Sequence, residues 1–395
     1  MKIGIYGGTF DPIHRGHITA AQAAAQQLGL DLLLLIPASI PPHKALPEGG
    51  ADAAQRLEMA TLATAELSCP AQVLDVEVRR QGKSYTADTL RTLRRQYPED
   101  ELWLLMGTDM FLSLQDWREP QEILRLVRVA AFSRTGDPEQ QRFARQRAYL
   151  EKTFGAQVTV VENPHVVDIS STRLRQLLPE GREYLPEAVY GYILRQRLYG
   201  THAELKHLTP EELRPIALSF LKPKRMPHVL GTEQEAIRLA RRYGADETDA
   251  RIAALLHDCT KKLDMEQQLA LCRRYDIRLD ELEQHALKLL HAKTGAAVAR
   301  DIFGVKDAVY EAIRWHTTGK PDMTLLEKVI YLADYIEPNR DFPGVERLRR
   351  AVYDDLDKGL LMGLSDTIDE MERMGNPVHH DTLEARDFLL RGEAK

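Results

Sequence analysis

KIGIYGGTFDPIHRGHITAAQAAAQQLGLDLLLLIP, residues 2–37, decides the fold. It opens on a short apolar strand, Lys2–Tyr6, that runs into a pair of glycines. An alanine-rich helical stretch follows over Gly16–Leu28. Then comes Leu32–Pro37, a continuous apolar run of the kind found in strands buried on both faces. Strand, helix and buried strand in that order make a parallel βαβ unit. The alternation continues, with strands expected at 73–78, 102–106, 129–133 and 157–161 and helices near 56–67, 86–96, 114–127 and 138–153. This predicts an α/β domain with a parallel sheet covered by helices, whose ligands bind at the carboxyl ends of the strands.

A chain of 395 residues is long enough for two domains. From Thr209 onward the pattern changes to amphipathic helices without a strand series, and LTPEEL (208–213) reads as a capped helix start. We expect one domain over 1–200 and a second, all-α, over 205–395. The hydrophobic fraction of 44% and charged fraction of 28% are those of a globular chain, which excludes disorder as a description of the whole. Three cysteines (Cys69, Cys259, Cys272) form no CxxC pair and no even set, so no disulfide framework is expected. No apolar run is long enough for a membrane span and no signal peptide is evident, so the expected location is the cytoplasm. The net charge of -6 leaves no basic field for nucleic acid, so phosphate chemistry must come from local sites.

One such site follows the first strand, in GGTFDPIHRGH (7–17). Gly7 and Gly8 let backbone amides approach an anion, and His14 and His17 stand three apart at a helix start, where two imidazoles suit the oxygens of a transferring phosphate. Cations recur near strand ends: Lys44 in PASIPPHK, Arg134, and Arg175 in ISSTRLR (169–175). In the last, Ser170, Ser171 and Thr172 form a hydroxyl-rich helix cap facing an anion, or a plain cap. With GKSYTADTL (82–90) and MGTDMFLSLQDW (106–117), these five ordered motifs resemble bacterial nicotinate-nucleotide adenylyltransferases of the HxGH nucleotidyltransferase superfamily.

That resemblance implies a Rossmann-like domain that transfers AMP from ATP, with Mg2+, to nicotinate mononucleotide. It assigns ATP and phosphate contacts to Gly7, Gly8, Thr9, Phe10, Lys44, Arg134, Ser170, Ser171, Thr172 and Arg175. It makes His14 and His17, with Lys44, the catalytic groups. Ser84, Tyr85 and Thr86 would take the nicotinate carboxylate on helix-start amides, Asp109 a ribose hydroxyl, and Trp117 the pyridine ring. The alternative for Trp117 is core packing from a helix over 114–127. Related enzymes act on phosphopantetheine or glycerol phosphate; SYTADTL and Trp117 favour nicotinate.

In the second half, His228, the adjacent pair His257-Asp258, His291, His316 and Asp334 are metal-capable side chains in helical settings. Ala250–Leu256 is an apolar helix that delivers His257 and Asp258 inward, and Asp334 interrupts an apolar stripe in YLADYIE. A carboxylate there is costly unless it is paired or coordinated, and a bridging carboxylate among imidazoles is what a dinuclear metal site requires. His285 is a bystander, Cys259 is structural, and His202, His207, His379 and His380 receive no role.

RMPHVLG (225–231), LLHDCTK (255–261), LLHAKTGA (289–296), AIRWHTTG (312–319) and YLADYIEPNR (331–340) resemble the HD phosphohydrolase superfamily, and within it the bacterial family that hydrolyses diadenosine tetraphosphate symmetrically to two ADP. The resemblance implies one metal on His228, His257, Asp258 and Asp334 and a second on Asp258, His291 and His316. Asp258 would bridge them and Lys261 would steady phosphoryl oxygens. It implies iron, while the ligands also suit Mn, Co or Zn, and it implies a homodimer through the helical half. Hydrolysis of another nucleotide, or nucleotide sensing without turnover, remains an alternative for this half.

Overall fold

The computed structural model describes residues 1–41, 47–80, 82–133, 137–163 and 166–392. The chain divides into two compact units, Met1–His202 and Ala203–Lys395.

The strands of the first unit are β1 (Lys2–Gly8), β2 (Leu32–Pro37), β3 (Ala71–Val73), β4 (Glu101–Met106), β5 (Arg128–Ser133) and β6 (Val158–Glu162). Its helices are α1 (Arg15–Leu28), α2 (Ala53–Ala63), α3 (Thr86–Gln96), α4 (Thr108–Leu112), α5 (Pro120–Leu126), α6 (Asp137–Phe154), α7 (Ser171–Leu177) and α8 (Glu187–Gln196). All strand pairs are parallel and the order is β3-β2-β1-β4-β5-β6. Ile5 of β1 stands opposite Leu34 of β2 on one side and Leu104 of β4 on the other. Chain order therefore reverses between β1 and β4, and a crevice opens beyond their carboxyl ends. Leu33, Leu34, Leu35 and Ile36 are buried on both faces of the sheet. Each such side chain contributes about 1.5–3 kcal/mol on burial.

Two elements differ from the sequence expectation. The strand expected at 73–78 pairs only through Val73; the Leu74 amide still donates to Leu35, and then Asp75–Arg80 curls into turns. Among the described residues β3 is an edge strand with no outer neighbour to hold it extended, and the turn brings Glu77 to the crevice. The helix expected over 114–127 is broken. A 3-10 turn ends at Asp116, Glu119 is left-handed (φ 58°), and α5 starts at Pro120. Proline disfavours right-handed helical backbone in the residue before it, Glu119, and Trp117, extended at φ -73° and ψ 161°, lies in the break between the two short helices.

The second unit is helical: α9 (Pro210–Leu218), α10 (Met226–Tyr243), α11 (Glu247–Leu256), α12 (Met265–Arg274), α13 (Leu287–Phe303), α14 (Asp307–Trp315), α15 (Leu325–Ile336), α16 (Val345–Asp354), α17 (Leu356–Arg373) and α18 (His380–Leu390). α10 packs on α11 and α15, and α14 packs on α11, α13 and α15, around Leu239, Ala253, Leu255, Ile313, Val329 and Leu332. Among the described residues, no helix is long and apolar enough to cross a membrane.

Candidate functional sites

The crevice of the first unit holds a cavity of about 370 Å3. Gly7, Gly8, Thr9, Phe10, His17, Ser84, Tyr85, Thr86, Trp117, Ser171 and Arg175 all line it. The two glycines have different reasons to be glycine. A Cβ at Gly7 would meet nothing within 4 Å, whereas one at Gly8 would stand 2.8 Å from the ring of Phe10.

His14 is the N-cap of α1 and His17 lies in its first turn, with ring centroids 3.8 Å apart. The His14 amide donates to His17 Nδ1 at 3.2 Å. A neutral His17 therefore carries its proton on Nε2, where it can be donated to a phosphoryl oxygen. Burial pushes His14 down to about 4 and holds His17 well below the usual imidazole range, so both rings are neutral near pH 7. A Cβ at Gly16 would stand 3.0 Å from the His14 ring and 3.1 Å from the Val167 carbonyl; glycine between the histidines lets them sit where they do.

The hydroxyls of 170–172 are engaged inside the protein. Ser170 accepts from the Arg173 amide, Ser171 donates to Pro12 O at 2.9 Å, and Thr172 accepts from Arg175 at 3.4 Å. Ser171 thus anchors the segment after β1, the other two hydroxyls serve α7 itself, and Arg175 lines the cavity and donates to Asp11 O at 2.5 Å. Asp109 is exposed and, unlike its neighbours Gly107 and Met110, is absent from the cavity wall. Lys44 and Arg134 lie outside the described residues.

Three groups escaped the sequence reading. Arg56 is fully buried, and its guanidinium donates to the carbonyls of Thr9, Ala38, Ser39 and Ala51, tying the loops after β1 and β2 together. Leaving those acceptors unmet would cost about 1–3 kcal/mol each. Asp11 accepts from Tyr199 at 2.6 Å and from the Ala51 amide at 3.1 Å, beside Arg175. Glu77 accepts from Thr89 at 2.7 Å, and burial raises its carboxyl above the usual range. An arginine within an otherwise amphipathic helix carries no signal of its burial; the aspartate inside GGTFDP was the one legible hint.

In the second unit the six metal-capable side chains converge. His228 comes from the first turn of α10, His257 and Asp258 directly follow α11, His291 lies on α13, His316 caps α14, and Asp334 lies on α15. His257 and Asp258 are fully buried. Asp258 divides its oxygens: Oδ2 faces His257 (3.5 Å) and His228 (4.0 Å), while Oδ1 faces His291 (3.2 Å). Asp334 lies 2.9 Å from His228 and 3.9 Å from His257. His316 Nε2 stands 3.1 Å from His291 Nε2.

The outward nitrogens are oriented from behind. His257 Nδ1 lies 2.6 Å from the Ala254 carbonyl, His316 Nδ1 2.6 Å from the Ile313 carbonyl, and His228 Nδ1 3.0 Å from Glu337. Placing those protons on Nδ1 turns each Nε2 lone pair inward, the arrangement metal sites use. Glu337 was missed by sequence reading; it is buried, held by the Asn339 amide at 2.7 Å, and a side chain at Gly231 would collide with it.

Burial alone would raise Asp258, but His257, His291 and Lys261 hold it well below the usual carboxylate range. Burial likewise opposes Asp334, and His228, His257 and Arg340 hold it low. Burial lowers His257, His291 and His316. Ionised carboxylates among neutral imidazoles form a donor set for divalent cations. His228 Nε2, His257 Nε2 and Asp258 Oδ1 are buried with no hydrogen-bond partner, which is how the residues fit the metals this class of site holds. Lys261 Nζ lies 2.9 Å from His291 Nε2, Arg225 pairs with Asp258, and Arg340 pairs with Asp334 at 2.7 Å. Cys259 is buried and its thiol is pushed up to about 12, as befits a structural residue.

Residues 5–177 match the cytidylyltransferase-like family and residues 225–339 match the HD domain family, which implies divalent metal binding. A probable nicotinate-nucleotide adenylyltransferase of Gloeobacter violaceus is 42% identical over 209 residues, covering 51% of this chain and 98% of that protein. A symmetrical bis(5'-nucleosyl)-tetraphosphatase of Halalkalibacterium halodurans is 41% identical over 179 residues, covering 44% of this chain and 95% of that protein. Its counterpart in Bacillus subtilis is 40% identical over 183 residues, covering 46% and 98%. The chain thus belongs through its first half to the nicotinate-nucleotide adenylyltransferase family, and through its second to the HD-domain family of symmetrical bis(5'-nucleosyl)-tetraphosphatases.

Proposed function

We propose that the chain is a bifunctional enzyme. The first unit transfers AMP from ATP to nicotinate mononucleotide; the second hydrolyses diadenosine tetraphosphate to two ADP. For the first, the supporting observation is one cavity lined both by His17 and Arg175 and by Ser84, Tyr85, Thr86 and Trp117.

A 5'-phosphate oxygen of nicotinate mononucleotide bonds to the α-phosphorus of ATP as the bond to the bridging oxygen of the β-phosphate breaks. Pyrophosphate leaves and no bond to the protein forms. ATP enters as its Mg2+ complex. His17 Nε2–H donates to the phosphoryl oxygens and Arg175 offsets their growing charge, with His14 holding His17 in its tautomer. At the start of α3 the Ser84 amide already donates to the Ile40 carbonyl and the Asp88 amide to Tyr85; the Thr86 and Ala87 amides between them precede the helical ladder and suit a carboxylate more than an uncharged amide. Trp117 offers its face to the pyridine ring.

For the second unit, the supporting observation is Asp258, whose two oxygens face different imidazoles. His228, His257, Asp258 and Asp334 would hold one divalent ion, and Asp258, His291 and His316 another. The ions supply Lewis acidity and lower the pKa of water. Arg225 and Lys261 offer positive charge to the polyphosphate. Water adds across the central P–O–P bridge.

The test supplies the purified chain with each substrate. Pyrophosphate release from ATP plus nicotinate mononucleotide, and ADP as the sole product from diadenosine tetraphosphate with Fe2+, Mn2+ or Co2+, are expected. No pyrophosphate overturns the first half; intact diadenosine tetraphosphate, or AMP plus ATP as products, overturns the second.

A further inference from the structure

A second histidine cluster lies apart from these six ligands, at the start of α18. His379 and His380 are adjacent, their rings stacked with centroids 4.4 Å apart. One ligand atom from each, and one from Asp280 in the segment between α12 and α13, lie within 4.8 Å of one another. His379 is 5% exposed, and its Nε2 is 3.0 Å from Asp280 Oδ2 and 3.5 Å from Glu283 Oε1 without well-formed hydrogen-bond geometry to either, while Glu283, Asp381 and Asp280 raise its pKa above the usual imidazole value. His380 Nδ1 is 3.5 Å from the same Asp280 oxygen.

The other side of both rings faces one carboxylate. His379 Nδ1 is 3.4 Å from Asp381 Oδ2, and His380 Nε2 is 3.3 Å from Asp381 Oδ1. We propose that this cluster is a third metal site, in which His379 Nε2, His380 Nδ1 and Asp280 Oδ2 bind one divalent ion of the zinc class. Asp381 orients both imidazoles by accepting the protons on their far nitrogens. A tetrahedral ion with ligands at about 2.0–2.1 Å sets them about 3.3–3.4 Å apart. The spacings of 3.0 and 3.5 Å about Asp280 Oδ2 bracket that value. Glu283 is already paired with Lys293, so the fourth position falls to water. His379 Nδ1 also accepts the Asp381 amide at 3.2 Å; metal loading shifts that proton arrangement, trading a long cap bond for the Asp381 carboxylate.

Three carboxylates, Asp280, Glu283 and Asp381, face the two rings, and Lys293 pairs with Glu283. That excess of negative charge favours a dication. His380 is largely exposed, which opens an entry path. The ion would tie the start of α18 to the segment after α12, a stapling role distinct from catalysis.

The full chain is stripped with chelator, reloaded with Zn2+, desalted and analysed for metal, beside His380→Ala and Asp280→Asn. Each variant is expected to hold one equivalent less than the parent and to lose part of the Zn2+-induced rise in Tm, with diadenosine tetraphosphate turnover unchanged. A chain carrying His228→Ala, Asp258→Asn, His291→Ala and Asp334→Asn, which leaves only His257 and His316 of the six-ligand cluster, is expected to keep that one equivalent. Equal zinc in parent and His380→Ala overturns the proposal, as does absence of zinc from the disabled chain. His380→Ala removes an exposed side chain, and circular dichroism of the metal-free protein confirms its fold.

Discussion

The two units prepare for phosphate in opposite ways. In the first, the cavity wall is mostly backbone and aromatic rings, with a single neutral histidine, His17, a few charged side chains, and Arg175 already turned toward Asp11. In the second, ionised carboxylates stand among four imidazoles, and three buried donor atoms lack partners. The first is a shaped space whose charge arrives with the substrate. The second is a set of ligands whose polar atoms are satisfied only once ions bind. Function should therefore fail differently in each unit when one group is removed.

The largest effect is expected from Asp258→Asn, which removes the shared carboxylate. Diadenosine tetraphosphate turnover should fall by about 10^3 or more, with metal content reduced and pyrophosphate release unchanged. A parallel loss in both assays would break the separation. His17→Ala should lower adenylyl transfer by roughly 10^2–10^3 through loss of the Nε2–H donor, with hydrolysis intact. Glu337→Gln leaves the fold and the six ligands in place but weakens the hold on His228. Metal affinity should drop by about 10–100-fold, read by titration, and unchanged affinity would remove Glu337 from the site. Trp117→Ala should raise KM for nicotinate mononucleotide by about tenfold with little change in KM for ATP.

The mildest test uses pH. The folded His14 and His17 sit below the imidazole value of 6.5, so the unfolded chain takes up protons first as pH falls. Stability contributed by the neutral rings is present above about 6.5 and lost as pH falls toward about 4. Of the three tryptophans, Trp103 and Trp117 lie in the first unit and Trp315 in the second. In a Trp315→Phe background, fluorescence melts should show the first unit losing Tm over that range, and His14→Asn should flatten the slope. An unchanged slope would mean that other groups carry the acid sensitivity.

Much of both sites could be read from the chain because their residues fall in short runs. GGTFDPIHRGH carries strand end, loop and helix start together, and HD follows an apolar helix that leaves the pair nowhere to go but inward. What escaped reading was held by contacts distant in sequence. Glu77 was hidden inside an apparent strand, whose alternation an unpaired edge did not sustain. Trp117 was placed in a helix because periodicity outweighed Pro120, although proline was the stronger signal. Glu337 was passed over because its partner, His228, lies 109 residues away.

Local patterns were enough for the parallel α/β unit, the helical unit after it, and the histidines and aspartates that gather, because buried strand runs and costly inward charges leave a local mark. The strand order that opens the crevice between β1 and β4, and the two-sided placement of Asp258, emerge from the folded chain alone. So do the burial of Arg56 and the meeting of His379 and His380 with Asp280. Those depend on segments far apart in the chain arriving within a few ångströms of each other, and no local pattern encodes that distance.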